Sequence, residues 1–197
     1  MPKKSIQLTD PRALRALAHP VRLELIGLLR RGGPLTATQA AERIGESPAS
    51  CSFHLRQLAK YGLVEEAGGG RGRERPWRAT AISTEWAARG ADAEADAAGT
   101  LLSRVVVERY FKTALEWLDQ QGEEEPEWVE AAAISDALVY MTAAELRELD
   151  EKIRALLKPF LNRLDDPAPP AEGARTVNVI ALAFPFPEPE PESEEKR

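Results

Sequence analysis

Between Leu35 and Arg78 the chain places two short helices in immediate succession and follows them with a hairpin whose tip is rich in arginine. Thr36-x-x-Gln39 is a capping box ahead of Ala40, Ala41 and Ile44, and Gly45 closes that helix. Ser47 then supplies an N-cap, and Pro48 takes the first helical position, where a missing N–H costs nothing. Leu55, Leu58 and the stem of Lys60 carry the second helix to Tyr61-Gly62. Leu63–Ala67 predicts a strand, Gly68–Arg75 a loop and Pro76–Thr80 a return strand. A turn this short presents the second helix as a rod sized for the major groove of a duplex. The glycines of the loop allow close backbone approach, and its arginines bring charge and forked donors.

The net charge of −6 argues against nucleic acid only if it is averaged over the chain. Residues 1–78 hold 14 basic and 7 acidic residues, a net of +7, and the remainder holds 12 basic and 25 acidic, a net of −13. The cationic front is suited to phosphates, and the anionic back is repelled by them.

With 197 residues and 43% hydrophobic content the chain has enough for one large domain or two small ones. It contains no apolar run long enough to span a bilayer, and Met1-Pro2-Lys3-Lys4-Ser5 lacks the apolar stretch of a signal peptide, so no membrane partner is expected. A single cysteine, Cys51, excludes an internal disulfide or a multi-cysteine metal cage and fits a reducing, cytoplasmic setting.

Upstream, Asp10-Pro11 opens a helix to Ala18, with Leu14 and Leu17 on its apolar side. Pro20 begins another, Val21 to Arg31, striped by Val21, Leu25, Leu28 and Leu29. Leu35 is a one- or two-residue strand. Downstream, Thr84–Gln121 reads as one long helical pattern, dense in Leu101, Leu102, Val105, Val106, Tyr110, Phe111 and Leu115. Those residues wrap most of its circumference, which points to a dimer interface, with a face left over for packing within the chain. Thr142-x-x-Glu145 caps a further amphipathic helix to Leu164, flanked by strand candidates at Ala137–Met141 and Arg175–Phe184. The fold class is therefore mainly α (α+β): a winged helix-turn-helix over residues 8–82, then a dimerisation and effector domain over 83–184. That second domain consists of the long dimerisation helix and a small helix/strand unit. Residues 185–197 form an acidic Pro/Glu tail too poor in apolar residues to fold.

The run Leu14-Arg15-Ala16-Leu17-Ala18-His19-Pro20-Val21-Arg22-Leu23-Glu24-Leu25-Ile26 resembles the opening of ArsR-type (arsenical-resistance-repressor-like) winged helix regulators. Ser47-Pro48-Ala49-Ser50-Cys51-Ser52-Phe53-His54-Leu55-Arg56-Gln57-Leu58 and Tyr61-Gly62-Leu63-Val64 resemble their recognition helix and its exit into the wing. The resemblance implies a homodimeric, DNA-binding transcription regulator of ArsR type, often a repressor released by a small effector. It covers residues 8–82, so the longer C-terminal part is an extension. Metal sensing in that family uses a Cys-x-Cys or carboxylate and histidine ligands, and this chain departs from both patterns. Cys51 and His54 share a helical face, but two ligands do not make a tetrahedral site, and no metal or cofactor is expected.

Ser47, Ser50, Ser52, Arg56 and Gln57 are the expected contacts of the second helix with DNA, and Phe53, Leu55 and Leu58 its core side. Thr36, Thr38 and Gln39 suit a backbone phosphate at a helix N-terminus, and Arg71, Arg73 and Arg75 suit the adjacent minor groove. Partners on this reading are double-stranded DNA, a second copy of the chain and a small-molecule effector. Trp117, Trp128, Tyr140 and Phe160 are available either to an apolar effector pocket or to plain core. No nucleophile elbow, phosphate loop or metal-ligand helix is present, so the chain does not read as an enzyme. The alternative is a protein-interaction or architectural dimer without specific DNA readout.

Overall fold

The computed structural model describes residues 3–70, 75–87, 90–163 and 171–186. Asp10 caps α1 (Pro11–Leu17) by accepting from the Arg12 amide, and α2 (Pro20–Gly32) follows with proline at its start. The Thr36/Gln39 capping box opens α3 (Ala37–Ile44), and Gly45 ends it at φ +71°, a conformation that favours glycine. Ser47 caps α4 (Pro48–Lys60) by accepting from the Ser50 amide. Gly62, at φ +69°, turns the chain into β2 (Val64–Glu66), which pairs antiparallel with β3 (Trp77–Ala79). Leu35 adds a single bridge to Trp77, so the one-residue strand expected there is present.

Two features depart from the helical pattern expected after residue 83. Residues Ala81–Trp86 form a strand, β4, and the long helix, α5 (Ala93–Gln120), starts only at Ala93, capped by Asp92. The partner of β4 is β1 (Lys3–Leu8), which pairs with it in parallel, Ile6 opposite Thr84 and Leu8 opposite Trp86. Parallel strands need a long crossover, and here the crossover is the whole of α1 to β3. Six residues with one lysine pair and alternating Ile6 and Leu8 carry no local sign of that remote partner, which is why sequence periodicity does not reveal the strand.

Leu17, Leu25, Leu55, Leu58, Leu63 and Leu102 are almost completely buried in one apolar cluster. Ala98, Leu102 and Val106 bring the first half of α5 into that cluster, and Arg15 of α1 pairs with Glu94 at 2.6 Å. The core of the front module therefore runs past residue 82. The Trp86 indole N–H donates to Ser103 Oγ at 3.0 Å and joins β4 to the same helix.

Beyond Val106 no described residue is buried. A short 3-10 turn (Gln121–Glu123), α6 (Pro126–Ala131) and α7 (Ala143–Asn162, opened by the Thr142/Glu145 capping box) complete the helices. Arg175 grips Glu124 with two hydrogen bonds, 2.7 and 3.0 Å, and lies over the Trp128 ring. The strands expected at Ala137–Met141 and Arg175–Phe184 are not formed, since a strand exists only through a neighbour's ladder and neither segment has one among the described residues. Trp117, Trp128, Tyr140 and Phe160 are exposed or half-buried, and none belongs to the core, which answers the expectation of plain core for these four. The acidic tail expected over 185–197 lies outside the described residues from position 187 onward. No helix among the described residues is long and apolar enough to cross a membrane.

Candidate nucleic-acid interface

The burial of α4 sorts its side chains into two faces. Cys51, His54, Leu55 and Leu58 point into the core, a stripe at i, i+3, i+4, i+7. The opposite face consists of Ala49, Phe53, Arg56 and Lys60, all exposed, with Ser50, Ser52 and Gln57 half-buried along its edges. Phe53, expected in the core, is instead 51% exposed. The stripe itself gives the reason: residue 53 lies about 200° from Cys51 on a helix turning about 100° per residue, and His54 takes the buried place beside it. The same count, applied to the sequence, would have found Ala49, Phe53 and Lys60 as face residues.

Ser47 is exposed, but its oxygen is engaged by the Ser50 amide. Thr36 Oγ1 accepts from the Gln39 amide at 3.2 Å, while Gln39 Oε1 accepts from the Thr36 amide at 2.9 Å. These three residues therefore set helix ends before they do anything else, whereas Thr38 is exposed with no cap to make. Across the hairpin, Arg75 donates to Glu66 at 3.0 Å and Arg78 to Glu65 at 2.8 Å. Both pairs are well exposed, so they are weak and screened. Arg71 and Arg73 lie outside the described residues.

Behind the face, the His19 and His54 rings sit 4.6 Å apart, and the Nδ1 atoms of both are buried without a partner. Burial is the main influence holding both imidazoles below the usual histidine pKa, and Arg22 acts in the same direction. Burial also raises the Cys51 thiol, which keeps it protonated and unreactive. Among the described residues no group of three or more His, Cys, Asp or Glu side chains is placed to hold a metal.

The expected dimer residues divide by side. Leu102 and Val106 are turned into the chain's own core, and Val105 and Tyr110 pack against it. Leu101, Phe111 and Leu115 are exposed, joined by Leu118, and the last three recur at i, i+4, i+7 on one face of α5.

Residues 17–67 match the family model of a helix-turn-helix domain. No match was found among curated proteins. Among solved structures, the chain is similar to the homodimeric winged helix-turn-helix DNA-binding domain of a possible ArsR-family transcriptional regulator from Mycobacterium bovis. That likeness has 23% identity over 50% of this chain and 75% of the other, with a TM-score of 0.33. A multiple antibiotic-resistance repressor (MarR) from Listeria monocytogenes is similar at 13% identity over 75% and 82% of the two chains, TM-score 0.27. A MarR family protein from Mycobacterium tuberculosis, in complex with salicylic acid, is similar at 18% identity over 74% and 85%, TM-score 0.27.

The front of this chain thus has the fold of a winged helix-turn-helix, and residues 17–67 within it match a helix-turn-helix domain. The helix-turn-helix match ends at residue 67, and a long C-terminal part of the chain follows it.

Proposed function

We propose that the chain is a sequence-specific transcription regulator that binds a pseudo-palindromic operator as a homodimer and represses from it. The observation that carries this reading is the outward face of α4. A helix held by a leucine stripe on one side presents Ala49, Phe53, Arg56 and Lys60 on the other, with Ser52 at its edge, on a front segment (residues 1–78) with a net charge of +7. Arg56 is suited to guanine or phosphate, Ser50, Ser52 and Gln57 to base edges, and Ala49 and Phe53 to thymine methyls. Ser47, Thr36, Thr38 and Gln39 place helix N-termini against backbone phosphates. Arg71, Arg73 and Arg75 reach the neighbouring minor groove or phosphates from the wing. Two copies joined through Leu101, Phe111 and Leu115 would set the two α4 helices on half-sites about one helical turn, ~10 bp, apart.

The test is a titration of the full chain against the duplex upstream of its own gene, at two salt concentrations and with a scrambled competitor. Arg56→Ala should remove most of the preference over the competitor. Alanine at Arg71, Arg73 and Arg75 together should weaken binding to both duplexes and flatten the salt dependence. Equal affinity for both duplexes in the unmodified protein would favour an architectural dimer, and an unchanged salt slope would remove the wing from the interface.

A further inference from the structure

On the side of α2 that faces α5, Glu24, Gly27 and Arg31 follow one another along a single stripe. Arg109 of α5 lays its guanidinium over the bare backbone of Gly27. A methyl group at that glycine would meet Nη2 of Arg109 at 2.6 Å and Nη1 of Arg31 at 3.3 Å, so two cationic forks converge on one spot. Among the described residues neither fork has a hydrogen-bond or ion-pair partner, and Glu24 is the one carboxylate whose field acts on Arg109. Arg30 adds a third positive charge, with Nε donating to the Ala81 carbonyl at 3.0 Å and Nη2 to Thr84 Oγ1 at 2.6 Å. Burial and the nearby Arg109 pull the Arg30 pKa down to about 10, while burial and Arg31 lower that of Arg109. Three like charges crowd into a half-buried seam, and the two forks that meet over Gly27 have no hydrogen-bonding anion among the described residues.

We propose that this seam between α2 and α5 binds a small molecule through an oxyanion, a carboxylate or a phosphate, held between Arg31 and Arg109. Planar guanidinium forks accept either group in paired hydrogen bonds, and partial burial makes such bonds stronger than at an open surface. The occupied seam ties the reading module to the helix that continues into the back half, so the ligand sits where it can alter the angle between them. This assignment does not depend on DNA binding.

The experiment titrates the full chain with inorganic phosphate and, separately, with benzoate at constant ionic strength. The arginine Nε–H resonances are followed by NMR and the melting temperature is recorded. At least one probe should shift Arg31 and Arg109 saturably; phosphate alone identifies a phosphorylated ligand, and benzoate identifies a carboxylate. Arg109→Gln and Gly27→Ala should each weaken binding by about tenfold, and Arg104→Gln, an exposed arginine on the same helix, should not. Gly27→Ala carries its own control. The atom it displaces is the end of a flexible side chain and alanine favours a helix, so the protein should melt no lower while losing the anion. Failure of both probes to saturate, or equal binding by Arg109→Gln, overturns the proposal. So does an Arg109→Gln protein that keeps the anion but loses affinity for duplex, because these arginines would then be DNA contacts.

Discussion

His54 faces inward from the helix proposed to read DNA and meets His19, which lies at the junction between α1 and α2. Charging either imidazole would set a cation in a half-dry site beside the other ring and near Arg22, with only Glu46 acting in the opposite sense. Both folded-state pKa values are lowered, so the unfolded chain takes up these protons at a higher pH than the folded one. The stability they contribute is present above the ordinary histidine value of about 6.5 and is lost as pH falls through it toward the folded values. The melting temperature should therefore drop by a few degrees between pH 7.5 and 5.5. The His19→Gln/His54→Gln double variant should show a smaller drop over the same interval. An equal drop in both proteins would assign the effect to other groups.

At the scale of the elements, the hairpin is held in check by its own strands. Glu65 and Glu66 of β2 hold Arg78 and Arg75 in exposed cross-strand pairs, each worth about 0.2–1 kcal/mol. On the proposed function, a phosphate would have to compete with Glu66 for Arg75. Glu66→Gln should therefore raise duplex affinity at low salt by about two- to fivefold, a factor that shrinks as salt screens both interactions. An unchanged affinity in a fluorescence titration would mean that Arg75 stays clear of the duplex. Where elements are set by neighbours in sequence, the sequence shows them. The Thr36/Gln39 and Thr142/Glu145 boxes, Ser47-Pro48 and Gly45 mark helix ends to within a residue or two. The capping residues among the candidate contacts were legible for the same reason. Elements that depend on remote partners were not: β1 and β4 define each other across more than seventy residues, and Val177 and Val179 alternate like a strand without acquiring a ladder. Phe53 was hidden differently, as an aromatic residue whose place on the open face follows from the helical count and not from its hydrophobicity.

For the whole molecule, the imbalance of burial between the two halves is the dominant fact. Every buried side chain among the described residues lies at or before Val106. Past that point Phe111, Leu115, Leu138, Leu156, Leu182 and Phe184 lie open, Phe111 at 59% and Leu115 at 60% exposure. So much exposed apolar surface is what the proposed dimer interface would cover. On the proposed function, the opposite signs of the two halves would put duplex and partner copy at different ends. The Phe111→Glu/Leu115→Glu variant should run as a monomer in light scattering and lose at least about tenfold in duplex affinity, with its helical content largely kept, since neither side chain is part of the core. A variant that stays dimeric would move the interface off this face of α5.

The parallel pairing of β1 with β4 also sets an order of events. On a ribosome the first strand emerges early and waits without a mate until Trp86 has followed it out, while α1 to α4 can already collapse around their leucines. The clasp can close only after α1 to α4 have emerged, and it closes next to the start of α5. The joint between the front module and the rest of the chain is therefore born after the four helices it is fastened to.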